Sequence, residues 1–310
     1  MGSVFSVITV PSDAPEEYET ISTKEGFWFR DPNLGLCLCK EATPNTGEDW
    51  AEKIASELCV LLKLPHAEYH LAIFDGKRGT ISPSFVPEGG TLILGNEVLA
   101  PIVPDYPKDP KDLSRHTIDI VFSAIQESSV QLPIDWTPPD GIGTAVDVFV
   151  GYLLLDAWIG NSDRHHQNWA LIKYKEPSAK EQTTYLAPTY DHGSCLGREL
   201  PDEKRHERLT TKDAGYSVEV YVKQRCLSYF YAKVGDKKRL KTFEVFREVA
   251  GRYPDAASVW LDYLEKVSLS DTLDLFSCIP SDRISETAIK FAQKILELNQ
   301  RRLLDLHIIQ

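Results

Sequence analysis

The chain has 310 residues, enough to bury a sizeable core as one large domain or two lobes. Hydrophobic residues make up 42% and charged residues 26%, which excludes a disordered chain as the default. A net charge of −12 argues against a surface that follows nucleic acid or an anionic membrane throughout, although a local basic cleft is compatible with it.

The first residues, Met1 to Ile8, lack a basic leader and a long apolar core, so no secretory signal is expected. Met1, Gly2 and Ser6 fit the short myristoylation pattern, which matters only in a host that has the transferase. No apolar stretch reaches the roughly 20 residues of a spanning helix. Residues 1–19 read as an exposed lead-in, because 12–19 are acidic and contain proline.

From residue 20 two β-rich runs, 20–30 and 36–40, flank turn formers at Asp31, Pro32 and Asn33, which predicts a hairpin. Cys37 and Cys39 would share one strand face, an arrangement that suits burial better than metal binding. The other cysteines (Cys59, Cys195, Cys226, Cys278) are scattered and no Cys-x-x-Cys pair occurs, so free thiols in a reducing, cytoplasmic setting are expected. Lys40 ends the second strand. A helix is predicted over 47–63, where Ile54, Leu58, Leu61 and Leu62 form an apolar stripe. Glu52 and Glu57 lie on it. A strand lysine on a nucleotide's phosphates, held by a helix glutamate, is an arrangement that phosphotransferases use.

Short strands are predicted at 67–74, 80–86 and 91–95, giving an antiparallel sheet backed by the one helix: a small lobe over 20–100. The Pro- and Asp-rich stretch 101–110 reads as the crossover to a helical lobe over 101–310, and a helix is predicted at 117–128. Residues 145–158 are almost wholly apolar except for Asp147 and Asp156, which predicts a buried helix. It leads into Gly160-Asn161-Ser162-Asp163-Arg164-His165-His166-Gln167-Asn168, a dense polar loop before the apolar residues 169–172. Strands follow at 169–174 and 184–189, then Asp191. The remainder reads as core-forming helices, including 256–267 and 285–304.

Phosphoryl transfer needs an acid near the incoming hydroxyl, oxygen ligands for magnesium and a cation on the phosphates. Asp163 suits the first role, Asn168 and Asp191 the second, and Lys40 the third. His165 is a candidate to orient Asp163 or to neutralise charge on the transferring group, and Arg164 to pair with a phosphate or with a structural carboxylate. A zinc site built from His165, His166, Asp191 and His192 is geometrically awkward, and no helix-borne His-Glu-x-x-His is present.

The loop 160–169 resembles the catalytic loop of HipA-like kinases, Asn-x-Asp-x-His-x-x-Asn, and is also similar to the Asp-Arg-His-x-x-Asn loop of phosphoinositide kinases. Residues 186–196, with Asp191-His192-Gly193-Ser194-Cys195-Leu196, resemble the segment that holds the magnesium aspartate in HipA-like kinases, most closely in the CtkA-type branch of small bacterial Ser/Thr kinases. The resemblance implies an α+β, bilobal kinase-like fold with a β-rich N-lobe and a larger helical C-lobe. It implies ATP and Mg2+ as cofactors, a protein Ser/Thr hydroxyl as acceptor, autophosphorylation, and a separate antitoxin-like partner chain. By its distance from Leu64 and Pro65 it favours Glu52 over Glu57 as the partner of Lys40. It places a phosphate-covering segment at Ser22, Thr23 and Lys24, with Ser22 or Thr23 open to modification, although Gly26 stands alone where a Gly-rich run would be. From the architecture, adenine is expected at residues 92–96, around Leu94. The competing expectations are a phosphoinositide or small-molecule kinase on the same fold, and a nucleotide- or partner-binding module without turnover.

Overall fold

The computed structural model describes residues 3–18, 26–107, 109, 112–127 and 129–306. The expected phosphate-covering residues Ser22, Thr23 and Lys24 lie outside them.

Eleven strands and ten α-helices are described. The chain starts with β1 (Val7–Val10), β2 (Glu17–Tyr18), β3 (Gly26–Asp31) and β4 (Gly35–Glu41), followed by α1 (Glu48–Leu62), β5 (His70–Phe74) and β6 (Lys77–Pro83). These six strands form one sheet in the order β1-β5-β6-β4-β3-β2. The predicted hairpin is β3–β4, with Gly26 opposite Lys40 and Asp31 opposite Gly35. The lead-in is more than exposed chain: β1 runs parallel to β5, and β2 pairs with β3. The sheet is therefore mixed and not purely antiparallel.

Strand alternation sorts the sheet's two faces. Phe27, Phe29, Cys37, Cys39, Ala72 and Ile81 make a small core on one face. Lys40, Thr80 and Leu71 are directly paired across β4, β6 and β5, so they share the other. Gly79 stands opposite Glu41, where an added Cβ would lie 2.2 Å from the Lys40 carbonyl oxygen, so glycine permits that close approach. Helix α1 packs on β5 and β6. All six cysteines are free and buried.

Then come β7 (Thr91–Leu94), α2 (Gly95–Leu99), α3 (Ile118–Glu127), α4 (Ala145–Ile159), β8 (Ala170–Tyr174) and β9 (Thr183–Leu186). Strand β7 corrects the sequence expectation. It pairs antiparallel with β8, in a second sheet ordered β7-β8-β9, and does not join the first. The chain thus passes between sheets at residues 84–90, ahead of the Pro- and Asp-rich stretch expected to carry the crossover.

Helix α4 is the axis of the second part. It is apolar all round, so it must be buried on every side, and only Asp147 escapes burial. The Thr144 hydroxyl accepts the Asp147 N–H and Asp147 bonds back, a capping box that fixes its start. Gly160 ends it at φ 67°, left-handed backbone where an added Cβ would also lie 2.8 Å from Cys226 Sγ. The loop 160–168 leaves from that cap.

The rest comprises α5 (Asp202–Thr210), α6 (Val218–Gln224), β10 (Leu227–Tyr231), β11 (Arg239–Lys241), α7 (Thr242–Arg252), α8 (Pro254–Lys266), α9 (Leu269–Ser277) and α10 (Glu286–Leu304). Helices α7, α8 and α10 pack around α4. The β10–β11 hairpin lies within a region expected to be helical. No described helix is long and apolar enough to cross a membrane.

Candidate active site

A cavity of about 520 Å³ lies between the six-stranded sheet, α1 and the loop 160–168. Its lining includes Lys40, Glu52, Leu94, Asp163, His165, Asn168 and Asp191, so every described residue among the predicted site residues reaches it. Leu36, Leu38 and Lys40 reach it from alternate positions of β4, opposite Cys37 and Cys39. Glu57 points elsewhere, pairing with Lys53 one helical turn away.

The polar loop is tied to α4 by a buried ion pair. Arg164 donates from Nε to Asp156 Oδ2 and from Nη2 to Asp156 Oδ1, both at 2.8 Å, with the two side chains 1% and 4% exposed. The same guanidinium bonds the Asn168 carbonyl at 2.6 Å and Thr189 Oγ1 at 2.9 Å. Of the two partners expected for Arg164, the structure supplies the structural carboxylate. Asn161 adds an Nδ2 bond to Asp156 and accepts the Asp163 N–H.

Backbone contacts set the aim of the loop. The Asp163 carbonyl accepts the His165 N–H at 2.7 Å and Asn168 Nδ2 at 2.7 Å. With its nitrogen so engaged, Asn168 has an Oδ1 that makes no hydrogen bond among the described residues. His165 Nδ1 accepts the Gln167 N–H, so the neutral ring carries its proton on Nε2, 4.0 Å from Asp163 Oδ1. Burial holds His165 down at about 4, so at neutral pH it acts as a hydrogen-bond donor and not as a cation. His166 faces away, its Nδ1 2.6 Å from the Tyr106 hydroxyl.

Asp191 adopts left-handed backbone at φ 58°, which is costly for a residue with a Cβ. Its N–H donates to the Tyr69 hydroxyl at 3.0 Å, and the next N–H, of His192, donates to Glu52 Oε1 at 2.7 Å. Glu52 therefore clasps the segment following Asp191. Gly193 makes this possible, since a Cβ there would lie 2.9 Å from Glu52 Oε2. Lys40 Nζ is 3.9 Å from Asp191 Oδ2. Burial, then the charge of Asp191, pushes the Glu52 carboxyl up to about 8, against the His192 and Gly193 N–H groups and Lys40, which pull it down. His192 is buried and held down at about 3, chiefly by desolvation, with Nε2 2.7 Å from Thr189 Oγ1. Neither it nor His166 adds to a metal cluster. Among the described residues no group of three or more His, Cys, Asp or Glu is arranged to hold a metal.

Sequence reasoning missed Tyr69 and the connection at residues 84–90, all of which line the cavity. It also missed His116, which braces the loop from behind. His116 Nε2 accepts Trp169 Nε1–H at 3.1 Å, while Nδ1–H donates to the Tyr229 carbonyl at 3.0 Å. Burial lowers it to about 3. A histidine depressed from 6.5 contributes stability that is fully present above 6.5 and is lost as pH falls through about 3. Stability against urea should accordingly decline as the pH drops below 6.5. In His116→Phe that decline should be shallower by up to about 1.4 kcal/mol per pH unit. Identical acid slopes in the two proteins would remove His116 from this account.

The six-stranded sheet with α1 and the larger set of helices around α4 make a bilobal, kinase-like fold. The chain is similar to the Helicobacter pylori proinflammatory kinase CtkA, at 16% identity and TM-score 0.69, over 97% of this chain and 99% of that one. It is also similar to the HipA of a Shewanella oneidensis MR-1 toxin–antitoxin system, solved with HipB and operator DNA. Here identity is 12% and TM-score 0.54, over 99% of this chain and 68% of that one. No protein-family profile and no curated protein sequence matches the chain.

Proposed function

We propose that the chain is an ATP- and magnesium-dependent kinase that transfers the γ-phosphate to a protein Ser or Thr hydroxyl. The observation that carries this reading is the meeting of Lys40, Glu52, Asp163, His165, Asn168 and Asp191 on one cavity, from elements far apart in sequence. The CtkA-like and HipA-like fold supports it.

Asp163 takes the proton of the acceptor hydroxyl as its oxygen bonds to the γ-phosphorus, and the bond to the β–γ bridging oxygen breaks to leave ADP. The His165 Nε2–H donates a hydrogen bond towards Asp163 or the transferring oxygens. Lys40 exchanges Asp191 for the nucleotide phosphates. Asn168 Oδ1 and the Asp191 carboxylate are hard oxygen donors of the kind magnesium takes, and these two residues would hold it. Magnesium held there would supply charge neutralisation on the phosphates. Adenine sits against residues 84–90 and Leu94, beside the stacked rings of Phe85 and Tyr190. A separate partner chain in the manner of an antitoxin is part of this proposal, on the likeness to HipA alone.

Incubation with γ-labelled ATP and MgCl2, followed by mass mapping, is expected to place label on Ser or Thr of the chain itself, Ser22 or Thr23 among them, and of added protein. EDTA should abolish the transfer. Nucleotide binding without label on any protein would defeat the kinase reading in favour of a binding module, and label on lipid alone would change the acceptor.

A further inference from the structure

The acidic chain contains a strongly basic stretch. Residues 221–241 carry seven Lys or Arg against the single acid Asp236, a local +6 that leaves −18 on the rest of a chain totalling −12. The β10–β11 hairpin presents most of this charge. Lys233, Lys237 and Lys238 are exposed at its connection. Neither they nor Arg239 form an ion pair with a carboxylate among the described residues. Like charges gathered without counter-charges repel one another, and a bound polyanion relieves that repulsion.

The hairpin is rigidly seated beside the loop 160–168. Ser228 and Phe230 are buried, Phe230 with its ring centroid 4.3 Å from that of His116. Ser228 Oγ donates to the Leu240 carbonyl at 2.8 Å, and the Tyr231 N–H donates to the His116 carbonyl at 3.0 Å. Alternation then turns Tyr229 the other way, its ring edge-on to His165 with centroids 5.8 Å apart. The Arg239 guanidinium stacks 4.3 Å over Tyr229. The two contacts place Arg239 within about 10 Å of the His165 ring.

We propose that this hairpin binds acidic residues of the protein acceptor, an inference that rests on the cavity being a phosphotransfer site. An extended peptide advances about 3.3 Å per residue, so a carboxylate on Arg239 sits within roughly three to five residues of a hydroxyl at Asp163. The lysines beyond Arg239 meet further acids. An acidic peptide is favoured over an anionic lipid surface because a bilayer would also face the −18 carried elsewhere. The hairpin connection, moreover, exposes only Val234 as a large apolar side chain.

The test uses the full chain and two fluorescein-labelled peptides of ten residues. Each has one serine, flanked at three residues or more by aspartate in one and by lysine in the other. Anisotropy should show the acidic peptide bound at least tenfold more tightly, with affinity falling as NaCl rises. Lys237→Glu/Lys238→Glu/Arg239→Glu should erase the preference, whereas Lys290→Glu, a charge change on α10, should keep it. Equal binding of the two peptides, an unchanged preference in the triple variant, or binding only to phosphatidylcholine vesicles containing phosphatidylinositol phosphate would overturn the proposal. Phosphate transfer is measured alongside. Selective peptide binding without any transfer would overturn the kinase reading and leave the hairpin as an acidic-peptide site.

Discussion

Asp163→Asn is expected to bind Mg·ADP with unchanged affinity and to transfer phosphate about 10²–10⁴-fold more slowly. The substitution removes the proton acceptor and the negative charge that faces His165 Nε2. The loop's shape around Asp163 is held by backbone groups: its N–H on Asn161 Oδ1, and its carbonyl accepting the His165 N–H and Asn168 Nδ2. None of these bonds uses the carboxylate, so asparagine leaves them intact. Asp191→Asn should behave differently. It removes the charge that faces Lys40 and the anionic oxygen proposed to hold magnesium, so the magnesium dependence of nucleotide binding should weaken together with the rate. Initial rates of label transfer at saturating ATP, with ADP affinity measured by calorimetry at several magnesium concentrations, separate the two. Transfer by Asp163→Asn at the unmodified rate would remove Asp163 from the proton step.

How much of this was legible in the sequence depended on the range of each contact. The β4 lysine could be found because alternation is local: Cys37 and Cys39 inward fixes Leu38 and Lys40 outward. The loop 160–168 was visible because polar residues crowd between an apolar helix and an apolar strand. The buried partner of Arg164 was visible too, though unassigned, as one of two acids in that helix. By contrast, β1 is four residues long and gains its partner β5 across the whole of α1, so no local pattern announces it. The hairpin residues 227–231 carry a β-rich Tyr-Phe-Tyr, but their neighbours read as helical and the strand is short. The passage from one sheet to the other at residues 84–90 was not anticipated, because proline density marks irregular chain in general and not the particular irregular chain that joins two sheets. The clasp of Glu52 on the His192 N–H spans 140 residues. Only the family resemblance pointed towards Glu52.

The stability effect expected to be largest tests the other half of the loop. Arg164→Met should lower unfolding stability by about 3–5 kcal/mol, because it strands the Asp156 carboxylate inside the helical core with only Asn161 to bond it. For a chain of this length that corresponds to a fall of roughly 5–8 °C in Tm. Arg164→Lys should recover little of the loss: a lysine keeps the charge but cannot reach both Asp156 oxygens, the Asn168 carbonyl and Thr189 Oγ1 from one planar fork. Arg164→Met combined with Asp156→Leu removes the unpaired charge and should regain much of the stability, since replacing both members of a buried pair is far cheaper than breaking it. Phosphate transfer should not return with it, because the fork also ties Asn168 and residues 189–190 to the loop, and with them the two residues proposed to hold magnesium. Urea unfolding of the four proteins, read with transfer rates, separates the roles. An Arg164→Met protein as stable as the unmodified chain but inactive would mean that the guanidinium serves a phosphate and not the loop.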